Sequence, residues 1–258
     1  MIELLQSTLL GIVQGLTEFI PVSSTAHLVL IPKLFGWKGI VNSLEFDIAL
    51  HGGTLLALLI YFRKEWIELF TSKLKLLFYL IIATVPAGLV GVAFEDYVST
   101  TLRSPMIIAL SLVVFGILML LAERYGGEKD IDNTSLFDAI LIGCFQAIAL
   151  IPGVSRSGIT ISGGLFRGFR RTEAARFSFL MSTPVIGGAL LLEAIKILKS
   201  PITYNPSIFL SGFLSAFVSG FFVIWALLWF FRRFSLKGFV YYRFGLAVII
   251  LLSLWLNG

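Results

Sequence analysis

Gly11-Ile-Val-Gln14, followed by Ile20-Pro21-Val22-Ser23-Ser24, and Gly143-Cys-Phe-Gln146, followed by Ile151-Pro152-Gly153-Val154-Ser155-Arg156, are two versions of one pattern. In each, an apolar run breaks into a polar cluster and nine positions separate the glutamine from the serine. The copies lie 132 positions apart, about half the chain. Corresponding interrupted apolar segments in two halves mark membrane proteins built from internal repeats, and their sites lie where the interrupted segments meet near the bilayer midplane. The pattern therefore predicts a location before any chemistry is considered.

Composition fixes the solvent. Of 258 residues, 57% are hydrophobic and 14% charged, with a mean hydropathy of +0.95, whereas soluble domains carry about 25% charged residues. The apolar excess is spread over many segments, so a water-soluble core cannot hide it. The expected class is an all-α polytopic membrane protein, a single membrane domain over 1–258 with repeats at approximately 1–122 and 136–258. The opening Met1-Ile-Glu-Leu-Leu has no basic region ahead of the apolar run, which predicts no cleaved signal peptide. A single cysteine, Cys144, excludes an internal disulfide and a thiolate metal cluster; it reads as a small buried apolar residue. The net charge of +5 is assigned to loops facing the anionic inner leaflet rather than to nucleic acid.

Six segments are long enough to span about 30 Å of hydrocarbon: 46–62, 74–94, 105–122, 174–195, 207–231 and 239–257. Residues 2–35 and 136–170 are interrupted instead, at Pro21–Thr25 and Pro152–Gly158. Non-helical backbone at membrane depth is tolerated only inside protein or beside a wet cavity, so both read as re-entrant helix-loop-helix hairpins. Each half is then one hairpin plus three transmembrane helices. Three is odd, so the second half is inverted relative to the first, an inverted-topology repeat. The loops at 63–75, 123–135, 166–171 and 232–238 carry twelve basic residues. The opposite side carries five: Lys33, Lys38, Arg103, Lys196 and Lys199. The positive-inside rule makes the richer side cytoplasmic, with both termini and the mouth of the first hairpin facing outward. The aromatic runs Trp225–Phe231 and Phe239–Phe244 suit either a membrane interface or lipid-facing packing.

The polar clusters suggest chemistry. Gln14 and Glu18 are one turn apart on a helix and share a face. An ionisable residue in a membrane segment is costly and is first read as functional. Ser23, Ser24, Thr25 and His27 follow within nine residues of Glu18. Together they supply a nucleophile, a base and an orienting group. His51, in Leu50-His51-Gly52-Gly53-Thr54, is a candidate cavity-lining residue. The second break offers Arg156 flanked by Ser155 and Ser157. An arginine fork can hold two phosphate oxygens, and the amides of the following helix start can hold others. Arg167, Arg170 and Arg171 read as a solvated cytoplasmic edge. If the two breaks meet, the site suits a phosphate-bearing substrate in a membrane.

At these residues the chain resembles the undecaprenyl-diphosphate phosphatase family. Gln14-Gly-Leu-Thr-Glu18-Phe-Ile-Pro-Val-Ser23-Ser24-Thr25-Ala-His27 is similar to its first signature, Glu or Gln followed four positions later by Glu. Pro152-Gly-Val-Ser155-Arg156-Ser157-Gly158 is similar to its second. The stretches from Phe46 to Ala57 and from Ala175 to Leu180 also resemble family segments. The resemblance implies a bacterial plasma (inner) membrane enzyme that removes one phosphate from undecaprenyl diphosphate. The product is the carrier lipid used in cell-wall synthesis, and bacitracin resistance is associated with the activity. It implies a divalent cation, Mg2+ or Ca2+. It assigns essential roles to Glu18, Ser24, His27 and Arg156, and supporting roles to Gln14, Ser23, Thr25, Ser155 and Ser157. Glu18 is the expected metal ligand; an amide at Gln14 is a weaker one. The expected partners are the prenyl diphosphate lipid and membrane lipids, with a homodimer compatible. The nucleophile stays open between Ser24 with His27 as its base, His27 itself, and water activated by Glu18. The alternative function is a transporter or flippase of a prenyl phosphate, which the repeat architecture alone would favour. The other large class of lipid phosphatases requires two histidines with a lysine–arginine signature, and the glycine-rich context of His51 does not fit it.

Overall fold

The computed structural model describes residues 2–94, 102, 104–199 and 205–257, and it is all-helical apart from one isolated bridge between Lys129 and Phe169. In chain order the helices are α1 (Ile2–Phe19), α2 (Ser24–Phe35), α3 (Leu44–Tyr61), α4 (Arg63–Thr71), α5 (Leu74–Ala93) and α6 (Pro105–Ala122). There follow α7 (Leu136–Ile148), α8 (Arg156–Phe166), α9 (Arg171–Lys199), α10 (Pro206–Phe230) and α11 (Lys237–Asn257). Short 3-10 turns precede α3 and α7.

Five helices, α5, α6, α9, α10 and α11, are long and apolar enough to cross a membrane, and α3 with α4 makes a sixth if the bent pair is counted as one span. Only 22% of the α5 positions are buried inside the protein. Side chains such as Leu89, Val92, Phe222 and Trp255 project outward. A helix apolar on all sides and mostly unpacked is stable only in hydrocarbon.

Helices distant in the chain pack in pairs. α1 lies along α10 and α7 along α5, while α3 meets α9 and α6 meets α11. Close approach needs missing side chains at corresponding positions. A Cβ at Gly11 would overlap the Ser215 hydroxyl and the Gly212 carbonyl, and one at Gly143 would come within 2.6 Å of the Ala83 carbonyl. This small-residue packing replaces the hydrophobic drive that is absent between helices in lipid.

Three expectations are corrected. The breaks are Ile20–Ser23 and Ala149–Ser155, so Ser24, Thr25 and Arg156–Gly158 belong to helical first turns. The cause is local: Ser23 and Ser155 take φ of 75° and 72°, the only positive φ among described non-glycine residues, and each starts a helix as its N-cap. Residues 63–71, expected as loop, form α4, which bends 66° from α3. Cys144, expected buried, is exposed, because α7 turns Ala139, Ile142, Gly143 and Gln146 to its packed face. Among the basic residues assigned to the poorer side, Arg103 lies outside the described residues.

Candidate active site

The two breaks meet. Arg156, the first residue of α8, donates from Nη2 to Glu18 Oε1 at 2.6 Å, and Ser157 Oγ lies 3.4 Å from the Ile20 carbonyl. Around this contact is a cavity of about 430 Å3 whose polar lining includes Glu18, Ser23, Ser24, Thr25, Ser155 and Arg156. Its other walls come from α3, α5 and α9, with apolar residues such as Ile48, Val185 and Leu190. A polar tip inside apolar walls fits a ligand with a charged head and a hydrocarbon tail.

Glu18 is the hub. Besides Arg156, its Oε2 accepts from Ser24 Oγ at 2.7 Å and from Gln14 Nε2 at 3.1 Å. Gln14 reaches it because positions 14 and 18 share one face of α1, as the spacing predicts. His51 Nε2 stands 3.7 Å from the same oxygen, while His51 Nδ1 is 2.7 Å from the Asp47 carbonyl one turn back. A carboxylate buried among one guanidinium, two polar donors and an imidazole is a satisfied charge, which makes its presence in a membrane segment affordable.

Two groups keep unused capacity. Among the described residues Arg156 Nη1 is buried with no hydrogen-bond partner, and so is Gln14 Oε1. A buried donor without an acceptor costs about 1–3 kcal/mol, a cost that an anionic ligand oxygen would relieve. The α2 start adds to the positive potential, since Ser23 makes no side-chain cap to its free first-turn amides. At the α8 start, Ser155 Oγ accepts from Gly158 N at 3.3 Å and lies 3.3 Å from Ser157 Oγ.

His27 is placed differently from a base for Ser24. Its Nδ1 lies 2.8 Å from the Ser23 carbonyl and its Nε2 2.7 Å from the Tyr242 hydroxyl, with the two rings stacked. His27 is buried and does not line the cavity; the histidine that lines it is His51. Thr25 lines the cavity, whereas Ser157 is buried and does not line it.

Arg243 was not anticipated. It is fully buried and donates to four carbonyls, those of Ser111, Leu112, Gly153 and Val154, at 3.0–3.3 Å. It thereby holds the backbone immediately before Ser155 and Arg156, where Gly153 takes a φ of 91°. Its counter-groups are backbone dipoles; among the described residues it forms no ion pair. An arginine within the apolar run 239–257 is itself the signal that could have found it. Asp47 and Tyr242 are the other cavity and histidine partners that sequence reasoning passed over.

The sequence of the chain matches known proteins along nearly its full length. A family model described as "Bacitracin resistance protein BacA" matches residues 7–249. A protein of Thermodesulfovibrio yellowstonii named undecaprenyl-diphosphatase is 52% identical over 250 residues, covering 97% of each chain. Proteins with the same name from Elusimicrobium minutum and Desulforudis audaxviator are 44% and 47% identical, covering 96% of each chain for the first, and 95% of this chain and 97% of the relative for the second.

Proposed function

The chain belongs to the bacitracin resistance protein BacA family, and from that premise and its site we infer that it is a membrane phosphatase hydrolysing undecaprenyl diphosphate to undecaprenyl phosphate and inorganic phosphate. The single observation that carries the residue-level reading is the Glu18–Arg156 contact with the Ser24 hydroxyl on the same carboxylate.

The diphosphate head enters the polar tip and the prenyl tail leaves along the apolar walls. Arg156 Nη1, which has no partner among the described residues, takes a terminal phosphoryl oxygen while Nη2 stays on Glu18. Ser24 Oγ attacks the terminal phosphorus and passes its proton to Glu18 Oε2. The bond from that phosphorus to the bridging oxygen breaks, and undecaprenyl phosphate leaves with that oxygen. Water then attacks the phosphoserine: the bond from phosphorus to Ser24 Oγ breaks, Glu18 returns its proton to that oxygen, and the water's oxygen and protons leave with inorganic phosphate. Phosphoryl transfer requires mainly positioning and charge neutralisation, and the site supplies both. His27, occupied on both nitrogens, supports the break rather than the proton transfer. Direct attack by water activated by Glu18 is the second reading, favoured by the same carboxylate.

A divalent cation fits the donors present. Glu18 offers a carboxylate and the partnerless Gln14 Oε1 an amide oxygen beside it. No group of three or more His, Cys, Asp or Glu side chains suited to a metal occurs among the described residues, so diphosphate oxygens and water would complete the shell, as is usual for Mg2+. Bound there, the ion would neutralise developing phosphoryl charge.

For the architecture we propose the inverted repeat of two re-entrant hairpins. It is supported by the reciprocal packing of α1 on α10 and α7 on α5, by the paired serines with positive φ, and by Arg167 at the end of α8 pairing with Asp138 at the start of α7 at 2.7 Å. The charge asymmetry supports a cytoplasmic basic side, with both termini and the first hairpin mouth outside, in the plasma membrane.

The test is release of inorganic phosphate from undecaprenyl diphosphate by the purified protein, with and without chelator. Cation-dependent release is expected. Folded protein that moves the lipid across vesicles without releasing phosphate would favour transport instead.

A further inference from the structure

A second polar cavity, of about 360 Å3, shares no lining residue with the proposed reaction site and lies where the end of α6, the start of α9 and the turn into α11 come together. Its polar lining is Glu123, Arg124, Arg171, Ser235, Lys237 and Tyr241, with Leu120 on its apolar side. The Glu123 side chain is only 5% exposed and holds Arg171 through Nε at 2.9 Å and Nη2 at 2.6 Å, and it also accepts from the Leu236 amide at 2.6 Å. The carboxylate is therefore consumed in fixing Arg171 in place.

Arg124 and Lys237 form no ion pair among the described residues, which leaves the cavity with a net charge of two positive. Their neighbours at this end behave otherwise: Lys129 and Arg167 pair with Asp138, and Arg170 with Asp130. Beside these charges the lining is apolar at Leu120 and aromatic at Tyr241, whose residue is 64% exposed. A cationic pocket at the end of membrane helices, opening onto side chains suited to hydrocarbon, matches the chemistry of a charged headgroup with acyl chains beside it.

We propose that this cavity binds the phosphate headgroup of an anionic phospholipid. Arg124 and Lys237 neutralise the phosphate, the Ser235 and Tyr241 hydroxyls donate to its oxygens, and the acyl chains lie along Leu120 and the Tyr241 ring. The site is independent of the reaction chemistry, since none of these residues lines the other cavity.

The experiment is native mass spectrometry and thermal unfolding of the purified protein with phosphatidylglycerol, phosphatidylcholine or inorganic phosphate as the added probe. The wild type is expected to retain phosphatidylglycerol and to unfold at higher temperature with it. In the double variant Arg124→Gln, Lys237→Gln, affinity should fall roughly 30-fold, about fivefold for each charge removed near a membrane surface. The single variants, at exposed positions, carry the same test at about fivefold each. Phosphatase turnover in phosphatidylcholine should be unchanged in all of them. Equal phosphatidylglycerol retention by the wild type and the variants would overturn the proposal. So would stabilisation by inorganic phosphate alone, which would make this a free-anion site, or equal retention of phosphatidylcholine.

Discussion

Glu18 Oε1 and Arg156 Nη2 are 2.6 Å apart although 138 positions separate the residues in the chain. Glu18 lies just before the first break and Arg156 just after the second, so the contact joins the two repeated patterns. The contact explains why a carboxylate and a guanidinium sit at the ends of interrupted helices: each compensates the other's burial.

Replacing Glu18 by Gln keeps the shape but removes the proton acceptor for Ser24. Phosphate release by Glu18→Gln should fall by about 10²–10⁴, the usual contribution of general base catalysis. Steady-state assays alongside a thermal melt separate this from misfolding. A variant with the wild-type rate would reduce Glu18 to a structural partner of Arg156.

Ser24 should carry phosphate transiently. Quenching a single turnover of substrate labelled on the terminal phosphate should trap an acid-stable, base-labile phosphoserine, and Ser24→Ala should abolish both label and most turnover. An acid-labile adduct at His27 would assign the nucleophile there. If the chemical step is resolved and no covalent phosphate forms, water is the nucleophile.

Gln14→Glu places a second carboxylate beside Glu18, where the amide oxygen now lacks a partner. Charge count at a hard-cation site tunes affinity, so half-maximal activity should need roughly tenfold less Mg2+. Titration after chelator treatment measures this. An unchanged requirement would place the cation away from position 14.

Arg243 is expected to matter without touching substrate. Arg243→Gln strands carbonyls at Ser111, Leu112, Gly153 and Val154. At about 1–3 kcal/mol for each buried group left unpaired, the thermal midpoint should drop markedly. Lysine, with fewer and differently directed donors, should restore only part of it. In the folded fraction kcat should fall more than KM rises, since the break carrying Arg156 loses its backing. A full rescue by lysine would show that charge alone, rather than the fork, is required.

Much of this was legible in the sequence because the decisive features are local. The paired breaks, the Gln14–Glu18 face and the flanking serines all depend on neighbours within about nine positions, and the 132-residue offset predicted that the breaks would meet. What escaped depends on distant helices. His27 is close to Ser24 in sequence, yet α11 captures its ring through Tyr242. His51 reaches Glu18 through the placement of α3 beside α1. Arg243 was hidden within an aromatic run, because its partners are backbone carbonyls with no sequence signature. The helix restarts at Ser24 and Arg156 were missed because Ser23 and Ser155 adopt a backbone conformation that serine rarely takes.

The most direct test of the account is phosphate release from undecaprenyl diphosphate by purified Arg156→Ala beside Arg156→Lys and the wild type, each shown to be folded by thermal melting. Loss of the fixed countercharge should lower turnover by about 10³ or more in the alanine variant, the scale of arginine contributions to phosphoryl transfer, with partial recovery by lysine. Wild-type turnover in folded Arg156→Ala would contradict the claim that the meeting of the two breaks is the reaction site.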